Sequence, residues 1–393
     1  MKTPWRKLYI LALAGAISWL GSEMTTFAVI LRDKDTIGAA GVSFYLLAFA
    51  VPNIVMAPVS GWVADRFSSR QVILPALVVM GLGSFSLALG FPIWWTPCAL
   101  AITAFAGTLV SPSLQAAQVT ITLPEDLARV TGMMQSFNAA GMLFAPALGG
   151  ILVSATGYIW PFVIDGASFW LLAAVFMLLN INRKSVHHET GEKLSALAGL
   201  KFVFGNASIR ALVILVSILV ITLSTFFVGE VFLVKDELHA STLIYGIVGA
   251  LFAGGNILGN VAAAAIKLPE KFHAVASLAG MLLISFTILG FSQVTSWLVA
   301  MVLALFTGIS NAFLNTYAIS IIMTRSPTEA LGRVNAVVGA FINTGFLVGV
   351  LLSGIAISSF TVRPVLLVGA LLSLCVVFIF GPAVLKAEKA LPN

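Results

Sequence analysis

The sequence predicts an all-α integral membrane protein, with twelve transmembrane helices in two six-helix bundles related by pseudo-symmetry. Hydrophobic residues form 60% of the chain, and charged residues only 9%. The apolar residues fall into twelve runs, each long enough to cross a bilayer. One pattern of small residues also occurs twice, 204 positions apart. A soluble chain could not bury so much apolar surface, so the solvent is lipid.

Charge and cysteine placement exclude several other classes of protein. The net charge of +6 lies mostly in short turns, with no basic stripe among aromatic residues, so no nucleic acid partner is expected. Cys98 and Cys375 fall inside apolar runs and are predicted to be buried packing residues. No phosphate-binding glycine loop occurs, and His187-His188 is too isolated for a metal site. We therefore expect no enzyme activity, no cofactor and no metal.

The N-terminal bundle is predicted to occupy residues 1–181. Lys2, Arg6 and Lys7 before an apolar run imitate a signal peptide, but the run continues to Leu31 and further spans follow, which indicates a membrane helix. The six predicted spans are Leu8–Leu31, Gly41–Val63, Val72–Phe91, Trp95–Leu123, Val130–Ala155 and Pro161–Ile181.

A polar linker at 182–208 separates this bundle from a second one at 209–393. Leu194, Leu197, Leu200 and Phe204 give the linker a helical apolar stripe, which predicts a linker helix or a segment on the membrane surface. The spans of the second bundle are Ile209–Leu233, Leu243–Ile266, Ala274–Phe291, Trp297–Thr324, Val334–Ser359 and Pro364–Leu385.

The positions of the positive charges predict the topology. If the N-terminus is cytoplasmic, only Arg32, Lys34, Lys235 and Arg363 of the 21 Lys and Arg residues lie outside. This bias predicts that both termini and the linker are cytoplasmic. The nearby acids Asp33, Asp35, Asp236 and Glu237 are expected to be solvated loop charges.

The internal repeat begins at Arg129 and again at Arg333. Gly141, Ala145, Gly149 and Gly150 each meet a small residue at the same offset in the second copy, whereas Pro146 meets Val350. A half-length repeat in a membrane protein is typical of secondary transporters, which form the substrate path between two similar halves.

The turn after the second span carries the first family motif. Gly61, Asp65, Arg66 and Arg70 resemble the Gly-x-x-x-Asp-Arg-x-Gly-Arg-Arg/Lys signature of the major facilitator superfamily. The resemblance implies a cytoplasmic latch between the two halves; ordinary positive-inside charge is the alternative. Ser68 and Ser69 depart from the pattern, and the corresponding turn of the second half keeps only the glycine.

The fifth span carries the second motif. Gly141, Ala145, Pro146, Gly149 and Gly150 resemble the antiporter motif of the same superfamily, with alanine in place of one glycine. The resemblance implies export, whereas generic close packing of helices through small residues is the alternative.

Three phrases resemble the macrolide-efflux and enterobactin-exporter branch of this superfamily: 161–169, 206–210 and 326–335. The resemblance implies the major facilitator fold and proton-driven export of bulky, partly apolar molecules. We expect a monomer in the bacterial inner membrane that carries out multidrug efflux. The expected partners are amphipathic small molecules, protons and the lipid bilayer. The alternatives are a dedicated siderophore or metabolite exporter, a lysophospholipid flippase, and a membrane sensor that transports nothing.

Three acids in the spans are candidates for proton coupling: Glu23, Asp165 and Glu230. Glu23 lies roughly 12 Å inside the first span, where an ionised carboxylate is costly. It either carries the proton or is a neutral acid bonded to Ser22 or Thr26. Asp165 and Glu230 lie near outer helix ends, where water could reach them and their roles could be structural.

Uncharged polar residues in the spans are candidates for lining the transport cavity, although hydrogen bonding between helices is the alternative for each. Asn311 and Asn315 lie one helical turn apart, which favours a shared surface. The fourth span lacks the arginine of many proton antiporters, so more of the coupling rests on Glu23. The candidates are Asn53, Gln115, Gln118, Asn138, Asn256, Asn311, Asn315 and Asn343.

Overall fold

The computed structural model describes residues 3–181, 196–266, 268–326 and 331–389. These residues form thirteen α-helices, twelve of which are long and apolar enough to cross a membrane. The predicted fold class and number of spans are therefore confirmed. The helices are α1 Trp5–Ile37, α2 Ala39–Arg66, α3 Ser69–Ala88, α4 Trp95–Ile121, α5 Leu127–Thr156, α6 Ile159–Leu178, α7 Ala196–Gly205, α8 Ala207–Phe232, α9 Thr242–Ile266, α10 His273–Gln293, α11 Trp297–Thr324, α12 Leu331–Ser359 and α13 Val362–Lys389.

The chain divides into two compact units, Met1–Thr190 and Gly191–Asn393. In the first unit, α1 packs against α2, α5 and α6, while α3 packs against α4 and α6. Helix α2 also packs along α4. Leu11, Leu77 and Phe176 belong to its apolar core, where each is nearly inaccessible to solvent.

The second unit repeats this packing with its own helices. Helix α8 packs against α12 and α13, α10 against α11 and α13, and α9 along α11. The rings of Phe226 and Phe291 lie 4.8 Å apart in its core. Among the described residues, the second unit thus repeats the helix pairs of the first, except that α8 and α9 lack the packing of α1 against α2.

The repeated small residues lie at close helix crossings in each unit. A Cβ at Gly141 of α5 would lie 3.3 Å from the carbonyl oxygen of Ala16 on α1. A Cβ at Gly349 of α12 would lie only 2.5 Å from the carbonyl oxygen of Ile221 on α8. The repeat therefore gives α5 and α12 the smooth faces against which α1 and α8 pack.

The first helix extends beyond the end that the apolar run predicted. Helix α1 continues past Leu31 to Ile37, so the charged residues after Leu31 are helical rather than in a loop. Asp33 is only 3% exposed, and its prediction as a solvated charge is wrong. Its Oδ1 lies 3.6 Å from the Nε of Arg32, and this opposite charge offsets part of the cost of burial.

The linker contains α7, which packs against α8 and α12 of the second unit. Among the described side chains of α7, Val203 is fully buried, and the ring of Phe204 lies 5.7 Å from that of Phe341. Leu200 and Phe204, from the predicted apolar stripe, are more than one-third exposed. The side chains of Leu194 and Leu197 lie outside the described residues.

The two cysteines correct a second prediction. Cys98 on α4 and Cys375 on α13 are both free and exposed, not buried. Both belong to membrane-spanning helices, whose outer faces need no polar side chain because lipid is their solvent. An apolar run therefore does not distinguish a core position from an outward-facing one.

Candidate functional site

Asp165 connects three helices of the first unit. Ser22 of α1 donates a hydrogen bond to its Oδ1 at 3.0 Å, and Ser84 of α3 donates to its Oδ2 at 2.6 Å. Asp165 is 2% exposed, so the expectation that it could be wet is wrong. Gly21, which has no side chain, allows this contact, because a Cβ there would lie 3.0 Å from the Cα of Asp165.

Glu23 follows Ser22 on α1 and is half-buried. It lies about 27 Å along the helix from Trp5 and about 21 Å from Ile37. The two proposed neutral partners are engaged elsewhere: Ser22 donates to Asp165, and Thr26 bonds Tyr45. Among the described residues, neither a hydrogen bond nor an ion pair reaches the Glu23 carboxyl group. It is therefore a membrane acid without a fixed protein partner in this part of the chain.

Glu230 lies near the end of α8 in the second unit and is half-buried. Its Oε1 is inaccessible to solvent and has no hydrogen-bond partner among the described residues. The next turn continues as a π-helix from Leu233 to Glu237, and Glu237 pairs with Arg363 at 3.0 Å. Glu230 therefore stays a candidate for proton binding, at a different place from Asp165.

Charged residues near the C-terminal end of α1 hold one end of the first unit. Arg32 donates to the Oγ1 of Thr96 at 2.6 Å and lies 5.0 Å from the centre of the Phe162 ring. Tyr158, before α6, donates to Asp35 at 2.8 Å. Burial, together with that hydrogen bond, raises the pKa of Tyr158 to about 12, so the hydroxyl stays a donor at neutral pH. These contacts are structural and lie away from Glu23.

The signature turn is only partly described. The surroundings of Gly61 and the side chain of Asp65 lie outside the described residues, while Arg66 is exposed and interacts with another group. Arg70 donates to the Oδ1 of Asn180 at 2.6 Å and to the carbonyl oxygen of Met177 at 3.2 Å. Arg70 therefore ties α3 to the end of α6 within its own unit, and the latch stays a prediction.

Ser68 explains one departure from the family signature. It precedes α3, and both its backbone nitrogen and its hydroxyl contact the Oε1 of Gln71, at 3.1 and 2.9 Å. The serine thus caps the helix where the signature has glycine.

The antiporter-motif residues of α5 pack against α1. Ala145 is fully buried, and Gly149 and Gly150 are also buried. A Cβ at Gly149 would lie 3.2 Å from the ring of Phe27 on α1. Pro146 lies within the helix, where it removes a backbone donor. This geometry supports close packing of helices; a role in export stays a prediction.

The polar candidates of the first unit do not form one cluster. Asn53 donates to the carbonyl oxygen of Phe49 in its own helix, and the Nε2 of Gln118 lies 3.8 Å from the sulfur of Met134. Gln115 is exposed and Asn138 is half-buried. These contacts supply no common binding surface.

The polar candidates of the second unit are brought together, except for one. Asn311 donates to the Oδ1 of Asn256 at 2.9 Å, and Asn315 donates to the Oδ1 of Asn311 at 3.0 Å. Asn343 is exposed on α12, a different helix. Sequence reasoning missed Asn260, whose Oδ1 accepts from Thr316 at 3.0 Å. The signal that could have identified Asn260 was the spacing of four residues that the pairs 256/260 and 311/315 share.

No group of three or more His, Cys, Asp or Glu side chains is placed to hold a metal ion in the described residues.

Comparisons with known proteins agree with this architecture. A model described as Major Facilitator Superfamily matches residues 11–266 and again 214–392. Macrolide efflux protein A of Streptococcus pyogenes is 20% identical over 392 residues, which cover 95% of each chain. Multidrug resistance protein 1 of Bacillus subtilis is 23% identical over 199 residues, half of each chain.

A crystal structure of the nucleoside transporter NupG has a TM-score of 0.76 and 16% sequence identity, covering 98% of this chain and 99% of that one. At this identity the likeness concerns the fold alone.

Proposed function

We propose that this chain, which belongs to the Major Facilitator Superfamily, exports amphipathic small molecules in exchange for protons by alternating access. It is a multi-pass membrane transporter and not an enzyme, with relatives named for macrolide and multidrug efflux. The proposed location is a bacterial inner membrane with both termini in the cytoplasm, since the positive charges cluster on that side.

The proton-coupling proposal rests on one observation, the carboxyl group of Glu23. It lies within a membrane-spanning helix and has no ion pair or hydrogen bond among the described residues. An isolated carboxylate in a low-dielectric environment is costly, and binding a proton removes that cost. Glu23 would bind a proton in one facing state and release it in the other.

Asp165 supports this role by positioning α1. It accepts a hydrogen bond from Ser22, the residue before Glu23, and another from Ser84 of α3. Because both carboxyl oxygens of Asp165 are engaged, it is the weaker candidate for proton exchange. We assign it a positioning role, and we assign the exchangeable proton to Glu23.

The substrate proposal rests on the efflux relatives and on the lack of acidic residues in α9 and α11. Helices α9 and α11 carry asparagines but no Asp or Glu. Such surfaces suit uncharged hydrogen-bonding groups on an amphipathic molecule.

The test is transport in proteoliposomes under an imposed proton gradient. The panel contains a macrolide, a cationic dye, a catechol siderophore and a lysophospholipid, and each is measured with wild type and with Glu23→Gln. Glu125→Gln is the matched control, because Glu125 is exposed in the short 3-10 helix Pro124–Asp126, just before α5.

We expect several unrelated compounds to move in the wild type and in Glu125→Gln, and gradient-driven transport to fail in Glu23→Gln. Movement of only one compound would replace this proposal with a dedicated exporter. Normal transport by Glu23→Gln would place the exchangeable proton elsewhere.

A further inference from the structure

Five polar side chains form a cluster between α9 and α11 of the second unit. All lie within membrane-spanning helices, and together they make the hydrogen bonds described above. They are Asn256, Asn260, Asn311, Asn315 and Thr316.

The hydrogen bonds fix the orientation of three amide groups. The Nδ2 of Asn256 donates to the carbonyl oxygen of Phe252 at 3.2 Å, and the Nδ2 of Asn315 donates to that of Asn311 at 2.9 Å. Backbone carbonyls accept only, so these two nitrogens are assigned. The Oδ1 of Asn256 then faces Asn311, which must donate to it with its own Nδ2. The three amides therefore form one polarised chain.

The two ends of the cluster leave hydrogen-bonding capacity unused. No donor among the described residues reaches the Oδ1 of Asn315, the last acceptor of the chain. Asn260 receives the hydroxyl of Thr316 on its Oδ1, which leaves both hydrogens of its Nδ2 available. Asn315 thus offers an acceptor, strengthened by the chain behind it, and Asn260 offers donors.

These two ends are solvent-accessible although they lie in membrane spans. Asn260 and Asn315 are both exposed, whereas Asn256 and Asn311 are half-buried. An amide facing hydrocarbon would lose hydrogen bonds that lipid cannot replace. The exposed ends therefore face water.

The helices beneath the cluster are packed too closely to shift freely. A Cβ at Gly255 would lie 2.1 Å from the carbonyl oxygen of Leu305, and one at Gly308 would lie 2.1 Å from that of Phe252. This close backbone approach fixes the spacing of the asparagines, as a preorganised binding site requires.

We propose that Asn260 and Asn315 form a subsite for a hydroxyl group of the transported molecule, an inference that rests on the proposed export function. A hydroxyl donates to the Oδ1 of Asn315 and accepts from the Nδ2 of Asn260. Helices α9 and α11 contain no acidic residue that would favour an ammonium group instead. The substrate class is therefore a hydroxylated amphiphile, such as a glycoside.

The test is equilibrium binding to the purified protein in detergent, without a proton gradient. The probes are 4-methylumbelliferyl β-D-glucoside and its tetra-O-methyl ether, which keeps the scaffold but lacks hydroxyl donors. Wild type is compared with Asn315→Leu and Asn315→Ser. Val302→Ala is the control, because Val302 is an apolar, 54% exposed residue of the same helix that lies more than three turns from Asn315.

We expect wild type and Val302→Ala to prefer the glucoside by about tenfold, the effect of one neutral hydrogen bond. Asn315→Leu should abolish the preference, and Asn315→Ser, which keeps an acceptor oxygen, should restore part of it. Equal binding of both probes by wild type, no binding of the glucoside, or a preference retained in Asn315→Leu would overturn the subsite. The binding assay uses no proton gradient, so its outcome does not depend on proton-driven transport. Failure of the subsite and failure of the export proposal can therefore be distinguished.

Discussion

The hydrogen bond between Ser84 and Asp165 predicts a measurable coupling between α3 and α6. The two side chains meet at 2.6 Å and both are buried, so removal of either partner leaves the other unsatisfied. Hydrogen bonds to carboxyl groups contribute about 1–3 kcal/mol in soluble proteins, but interhelical bonds in membranes average only about 0.6 kcal/mol with a maximum of about 1.7. The short, buried contact places this one near the upper end of the membrane range, at about 1–1.7 kcal/mol.

A double-mutant cycle measures this coupling. Ser84→Ala, Asp165→Ala and the double variant are unfolded reversibly in mixed micelles, and the free energies of unfolding are compared with wild type. Ser154→Ala is the control partner, because its hydroxyl is exposed and bonds only the carbonyl oxygen of Ile151 in its own helix. We expect coupling with Ser84 and additivity with Ser154. Additivity within about 0.5 kcal/mol for Ser84 and Asp165 would refute the argument.

Two further predictions concern the second unit. Gly349→Ala should destabilise the second unit by about 1–3 kcal/mol, because the new Cβ would meet the carbonyl oxygen of Ile221. Gly339→Ala on the same helix is the control: its Cβ would meet nothing within 4 Å, so it should be neutral or slightly stabilising in the same denaturation assay. Equal effects would contradict the close crossing of α8 and α12. Arg325→Ala should lower the free energy of unfolding by about 1–3 kcal/mol, because its partner Glu388, at 2.8 Å, is largely buried. Arg363→Ala should lower it by under about 1 kcal/mol, with a dependence on salt, because the pair with Glu237 is more exposed. A larger loss of stability for Arg363→Ala than for Arg325→Ala would contradict this ranking of the two ion pairs.

The sequence was sufficient for the architecture because hydropathy and repeat patterns are local properties. Twelve apolar runs predict twelve membrane helices, since the backbone in lipid must satisfy its hydrogen bonds within each segment. The repeated small residues also predicted matched helix crossings, because only small side chains let backbones approach closely.

The sequence was insufficient where a side chain depends on a partner from another helix. Asp33 looked like a loop charge, but α1 continues through it beside Arg32 and Thr96. Asp165 looked water-exposed because its serine partners lie far away in sequence. Neither pairing leaves a periodic signal.

For the polar residues of the spans, sequence spacing succeeded in one case and failed in others. The turn spacing of Asn311 and Asn315 predicted a shared face, which the hydrogen bond between them confirms. Asn260 was missed because its role depends on Thr316 of another helix. Outward-facing Cys98 was misjudged because the core and the lipid-facing surface are both apolar.

The central claim is that Glu23 carries the exchanged proton, and the most direct measurement is substrate-induced proton movement in proteoliposomes loaded with a pH-sensitive dye. Addition of a transported macrolide to wild type or Glu125→Gln should move protons in the direction opposite to the substrate. Glu23→Gln should bind the macrolide but move no protons. Proton movement by Glu23→Gln at the wild-type rate would contradict the account.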